Sequence, residues 1–232
     1  MIRAFGISGA EKNNCLPPVR RREQIGLHFH HEEVAEGISR ASGASSPVST
    51  EIQSLVINLG DNDKNVRKQA VDTLMEVAQK TPKDVVLELK DSLKDPNEDI
   101  CGNASYVLAK ISEVSPGVVI PAVPELTDSL KDPNEYIRSN ASYVLAKISE
   151  VSPEAVIPAV PELKDSLKDP NEYVRVIVSI VLGNISKVSP EAVIPAIPEL
   201  RKALKDPNEK VRVIASYLLR RIGAEIYNYT VS

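Results

Sequence analysis

Residues 131–167 read KDPNEYIRSNASYVLAKISEVSPEAVIPAVPELKDSL, and this stretch is one period of a repeat. The string KDPNE stands at 94–98, 131–135, 168–172 and 205–209, so Asp95, Asp132, Asp169 and Asp206 lie 37 residues apart. The same step relates Pro116, Pro153 and Pro190, then Pro121, Pro158 and Pro195, then Pro124, Pro161 and Pro198. A degenerate earlier copy aligns Asp61 with Asp95 and Pro82 with Pro116, at a spacing of 34. Five repeats therefore run from about residue 48 to 225. A period of this length is the signature of a solenoid, because one unit cannot bury its own apolar face and stacked units can.

Each unit reads as two helices. In the third copy Asp132 is suited to cap the first helix, with Pro133 at its first position and Glu135 three residues after the cap; Asn134 is the rival cap. Ile137, Ala141, Val144, Leu145 and Ile148 then recur at helical spacing. Ser152–Pro153 closes that helix, and Val156, Ile157, Val160, Leu163 and Leu167 form the apolar side of the second. Pro158 and Pro161 fall inside the second helix, where an interior proline costs about 3 kcal/mol in a straight helix. The expectation is a kink, or a short turn followed by a helix that starts near Pro161. The fold class is all-α: a right-handed α-solenoid of about five helix pairs at 48–225. It is preceded by a disordered N-terminal tail at 1–47 and followed by a short C-terminal tail at 226–232.

One element recurs with the turns: an Asp, then an apolar–Arg pair, then Ala three residues after the Arg. It appears as Asp61/Val66-Arg67/Ala70, Asp132/Ile137-Arg138/Ala141 and Asp206/Val211-Arg212/Ala215. The fourth copy has Asp169/Val174-Arg175 with Val178 for Ala, and the second has Cys101 for Arg. This pattern resembles the HEAT-repeat family and its phycobilin-lyase-type relatives, within the armadillo-like solenoids. The resemblance implies a ladder in which Asp132, Arg138, Asp169, Arg175, Asp206 and Arg212 pair between neighbouring repeats, interrupted at Cys101.

Catalytic chemistry finds little support. There is no glycine-rich phosphate loop and no G-x-S-x-G. All three histidines, His28, His30 and His31, precede the repeats, so no Ser-His-Asp or Cys-His set can form within the array. HEAT-like di-iron hydroxylases present His–Glu pairs on several repeats; here the only such pair is His31-Glu32, outside them. Glu125/Asp128, Glu162/Asp165 and Glu199 form a carboxylate row that reads as a solvated face rather than acid–base machinery. Cys15 and Cys101 offer neither a disulfide framework nor zinc spacing. Asn103, Asn140, Asn184 and Asn228 sit in Asn-x-Ser/Thr sequons with no secretion signal, which speaks against glycosylation. The expectation is a protein that is not an enzyme, with no cofactor and no metal.

A net charge of −4 argues against nucleic acid, no apolar run is long enough to span a membrane, and a reducing, cytoplasmic setting is the simplest reading. What remains is a binding scaffold for a protein or peptide partner, with self-association as a further option. On the inner helices, expected to line the concave face, two columns run Tyr106, Tyr143, Ile180, Tyr217 and Lys110, Lys147, Asn184, Arg221. Val176, Ile177 and Val213, Ile214 replace the Ser139, Asn140 of the third copy. The partner-binding residues expected on this face are therefore Tyr106, Lys110, Tyr143, Lys147, Val176, Ile177, Ile180, Val213, Ile214, Tyr217 and Arg221. The aliphatic patch of repeats four and five should be covered by a partner, a second copy or the tail Ile226–Val231, unless it is core. The runner-up functions are a HEAT-like metal or small-ligand enzyme of hydroxylase or lyase type, and a nucleic-acid binder using the Lys110/Lys147/Arg221 row.

Overall fold

A computed structural model describes the backbone of residues 47–231 and the side chains of 48–223. The tail expected at 1–47 lies, apart from Pro47, outside the described residues, as do the three histidines and Cys15. Ten α-helices follow one another among the described residues: α1 Pro47–Asn58, α2 Lys64–Lys80, α3 Pro82–Ser92, α4 Glu98–Val114, α5 Val123–Ser129, α6 Glu135–Val151, α7 Val160–Ser166, α8 Glu172–Val188, α9 Ile197–Ala203 and α10 Glu209–Val231. Three 3-10 helices, Pro116–Ala122, Pro153–Ala159 and Pro190–Ala196, lead into α5, α7 and α9. Five helix pairs result, each closed by one of the aspartate turns. The long even-numbered helices stack side by side in one layer and the shorter segments form the other.

The prolines explain the second layer. Pro158 falls within a 3-10 turn, and Pro161 stands in the first turn of α7, where its missing N–H costs nothing. The start of the long helices differs from expectation. Asn134, not Asp132, is the N-cap of α6: its side chain accepts from the Tyr136 N–H at 2.9 Å. Asp132 instead accepts from the Asn134 N–H at 2.7 Å, which makes an Asx turn and leaves Pro133 outside the helix. Asn97 and Asn171 cap α4 and α8 in the same way.

The turn aspartate is thereby positioned for the ladder. Arg138 donates through Nε to Asp169 Oδ2 at 2.7 Å and through Nη2 to Oδ1 at 3.2 Å, while its Nη1 holds the carbonyls of Asp132 and Pro133. Arg175 repeats the arrangement on Asp206, at 2.7 and 3.1 Å. Each arginine thus ties its own turn to the next repeat with a forked, charge-assisted pair. Arg67 holds the Asp61 and Asn62 carbonyls, but its nearest carboxylate is Asp99, at 3.8 Å. Cys101 leaves the rung to Asp132 unmade and donates to the Leu93 carbonyl at 3.0 Å. A second ladder joins the short layer: Lys131 pairs with Glu162 at 3.1 Å and Lys168 with Glu199 at 3.2 Å.

The core is a continuous strip of Leu, Ile, Val and Ala between the layers, including Ile137, Val144, Leu145, Ile148, Val156 and Leu163, none more than 1 % exposed. Between stacked long helices lie buried serines, among them Ser105, Ser142, Ser149 and Ser186. Their hydroxyls donate to carbonyls one turn back (Ser105 to Gly102, Ser149 to Ala146), so small side chains bring the helices together without an unsatisfied group.

Candidate partner-binding face

The outward stripe of the long-helix layer changes character along the array. In repeats two and three it is polar and internally paired. Lys110 pairs with Glu113 at 3.0 Å and Lys147 with Glu150 at 3.1 Å. Each ammonium also lies over a ring of its own helix, Tyr106 at 5.8 Å and Tyr143 at 5.7 Å from the centroid. Asn103 donates to the Leu59 carbonyl at 2.9 Å, and Asn140 to Ser105 Oγ at 3.0 Å. These asparagines bind the stack together.

In repeats four and five the Ser139 and Asn140 positions are aliphatic, and Ile180 stands in place of Tyr143. Val176, Ile177 and Ile180 of α8 and Val213 and Ile214 of α10 line a groove of about 610 Å³ between the two helices. Glu172, Tyr173, Asn208, Glu209 and Lys210 border it. Ile177 and Ile214 are half-buried against the core, whereas Val213 is 60 % exposed. The patch is thus partly core and partly surface. The backbone of 226–231 continues α10 without a break, past the boundary expected at 225. A segment of the same helix cannot fold back over Val213 and Ile214, so the tail does not cover them.

The basic row divides as well. Asn184 donates to Ser149 Oγ at 3.0 Å, and Arg221 donates through Nε to the Ser186 carbonyl at 2.9 Å, at the C-terminal end of α8. Arg221 therefore fastens α10 to α8 and is not a free phosphate contact, and Lys110 and Lys147 already face carboxylates. Of the row expected for nucleic acid, the two lysines are thus paired with carboxylates and the arginine is held by backbone carbonyls. Among the described residues, no three His, Cys, Asp or Glu side chains cluster to hold a metal ion. In the carboxylate row, Glu162 and Glu199 are ladder partners, while Asp128 takes Lys94 at 3.0 Å. Cys101 is buried; burial, reinforced by the nearby charges of Asp132, Asp95 and Glu98, pushes its thiol up to about 11. It is a protonated core side chain at neutral pH. No helix among the described residues is long and apolar enough to cross a membrane.

Two family descriptions match parts of the sequence: the adaptin N terminal region over residues 85–182, and non-SMC mitotic condensation complex subunit 1 over residues 151–231. Each covers less than half of the chain. No curated protein matches the sequence. Among solved structures, a computationally designed armadillo repeat protein for modular peptide recognition superposes with a TM-score of 0.61 at 24% identity, covering 83% of this chain and 94% of that one. A designed armadillo repeat protein in complex with the peptide (KR)4 gives 0.60 at 22%, covering 82% and 92%. An engineered protein gives 0.59 at 22%, covering 85% and 96%. Identities this low speak for the fold alone. With the aspartate–arginine turns, the paired helices and these neighbours in agreement, the chain has an armadillo-like α-solenoid fold built of HEAT-type helix pairs.

Proposed function

We propose that the protein is a non-catalytic scaffold that holds a protein or peptide segment on the concave face of the long-helix layer, in the groove between α8 and α10. The observation that carries this reading is the local switch from Ser139 and Asn140 to Val176, Ile177, Val213 and Ile214. Repeats two and three fold with small or polar residues there, so the framework does not require the aliphatics. A groove of about 610 Å³ with an aliphatic floor and a polar border suits apolar anchor side chains of a bound segment. A designed neighbour of the same fold is complexed with a peptide, which agrees with this use of the fold.

The test is a selection of displayed peptides on the intact protein and on a graft that restores the third repeat: Val176→Ser, Ile177→Asn, Val213→Ser and Ile214→Asn. Peptides retained by the parent and lost by a normally helical graft support the reading. Peptides held equally by both, or by neither, overturn it.

A further inference from the structure

The ladder that joins the repeats has an unfilled half at each end of the described array. Arg212 is anchored as its counterparts are, with Nη1 on the carbonyls of Asp206 and Pro207 at 2.7 and 2.8 Å. In Arg138 and Arg175 that anchoring aims the Nε–Nη2 edge at the aspartate of the next repeat. Arg212 has no such aspartate among the described residues. Arg212 lines a hollow of about 560 Å³ with Leu204, Val213, Ser216, Tyr217 and Arg220. At the other end Asp61 makes the Asx turn of its counterparts, accepting from the Asp63 N–H at 2.7 Å, and no described arginine reaches it from a preceding repeat.

The side chains around these half-rungs depart from the repeat in a matched way. Within the array, Asn140 reaches Ser105, and Asn184 reaches Ser149, on the preceding long helix. Ser142, Ala146 and Ser149 lie one turn apart on that forward stripe, so Ala146 stands opposite Ile180 and Asn184. Ala109, Ala146 and Gly183 are all buried at this position, as close helix approach demands. The last repeat has the exposed Arg220 there. On the backward stripe the first repeat has exposed Asp72 and Glu76, where later repeats have Tyr106 and Lys110, or Ile180 and Asn184. A long cation therefore replaces a small residue at one end, and two carboxylates replace its neighbours at the other.

From this complementarity we infer that the protein associates head to tail with a second copy of itself. Arg212 of one molecule takes Asp61 of the next, and Arg220 lies against Asp72 and Glu76. The junction continues the inter-repeat ladder across molecules, with the charges fixing its register. Such a contact is heterologous, so growth passes beyond the dimer to rings or open fibres.

Sedimentation velocity of the full-length chain over a wide concentration range, at low and high salt, tests this. The expected result is stepwise association beyond the dimer that salt weakens. Arg220→Glu should raise the dissociation constant about tenfold, and Asp72→Lys with Glu76→Lys should do the same. Mixing the two variants should restore association, because both junctions are complementary again. These residues are exposed and outside the ladder, so circular dichroism should be unchanged. Ile177→Asn should leave association intact, which separates this face from the groove. A protein that stays monomeric at low salt, or one whose association ignores Arg220→Glu, overturns the inference.

Discussion

Repeats two and three and repeats four and five share one framework and present opposite surfaces. In the first pair Asn103 and Asn140 spend their amides on the preceding repeat, and Lys110 and Lys147 are held by Glu113 and Glu150. In the second pair Ile177 and Ile214 stand where the asparagines were, and a groove opens between α8 and α10. The buried positions barely change: Val144, Leu145 and Ile148 become Val181, Leu182 and Ile185, all fully buried. The core is common to all of these repeats, while the outward stripe diverges: its asparagines tie repeats two and three to the repeat before, and its aliphatics open a groove in repeats four and five.

The sharpest way to break this comparison is to cut a rung. Arg175→Ala leaves Asp206 buried beside its vanished partner, at 8 % side-chain exposure, and should cost about 3 kcal/mol in denaturant unfolding. An unchanged midpoint would show the rung to be ornamental. The four-residue graft of repeat three onto the groove should come next. It should weaken selected peptides about tenfold or more while moving the melting temperature little, which calorimetry and titration can read side by side.

Acid should act through the rung that Arg175 makes with Asp206. Burial alone would raise the Asp206 carboxyl, but the hydrogen bonds from Arg175 and the Asn208 N–H outweigh it and hold the group below its usual range. Its contribution is therefore present above the ordinary carboxylate pKa of about 4 and lost as pH falls through the lowered value. Arg175→Ala should flatten the acid limb of the stability curve; an identical limb in parent and variant would place the effect elsewhere. A smaller change is expected at the broken rung. Cys101→Arg can reach Asp132 as Arg138 reaches Asp169, and should stabilise by about 1 kcal/mol, measured by the denaturation midpoint. Destabilisation would mean that the site has closed around the thiol. In the parent, Cys101 should resist thiol reagents until the protein unfolds, since little thiolate forms below about 11.

The ladder was implied by the family resemblance, and only the structure shows that each Arg takes the Asp of the next repeat. The sequence by itself determined the helix pairs and the stacking of five repeats. Those follow from patterns within one period: apolar spacing, proline positions, and an Asp and an Arg repeated in phase. It also marked the aliphatic departure at Val176, Ile177, Val213 and Ile214, because a column that breaks its own repeat is visible in the text. Other features depended on register between segments about 35 residues apart, which no local pattern encodes. That Asn134 rather than Asp132 caps α6 follows from the aspartate being held by its Asx turn and free to face the neighbouring repeat. That Arg221 is a strut and not a surface cation follows from the end of α8 lying beside it. The buried serines were not singled out in the sequence, and only the stacked helices show why they are small: two backbones must approach there, and each hydroxyl must find a carbonyl on its own helix.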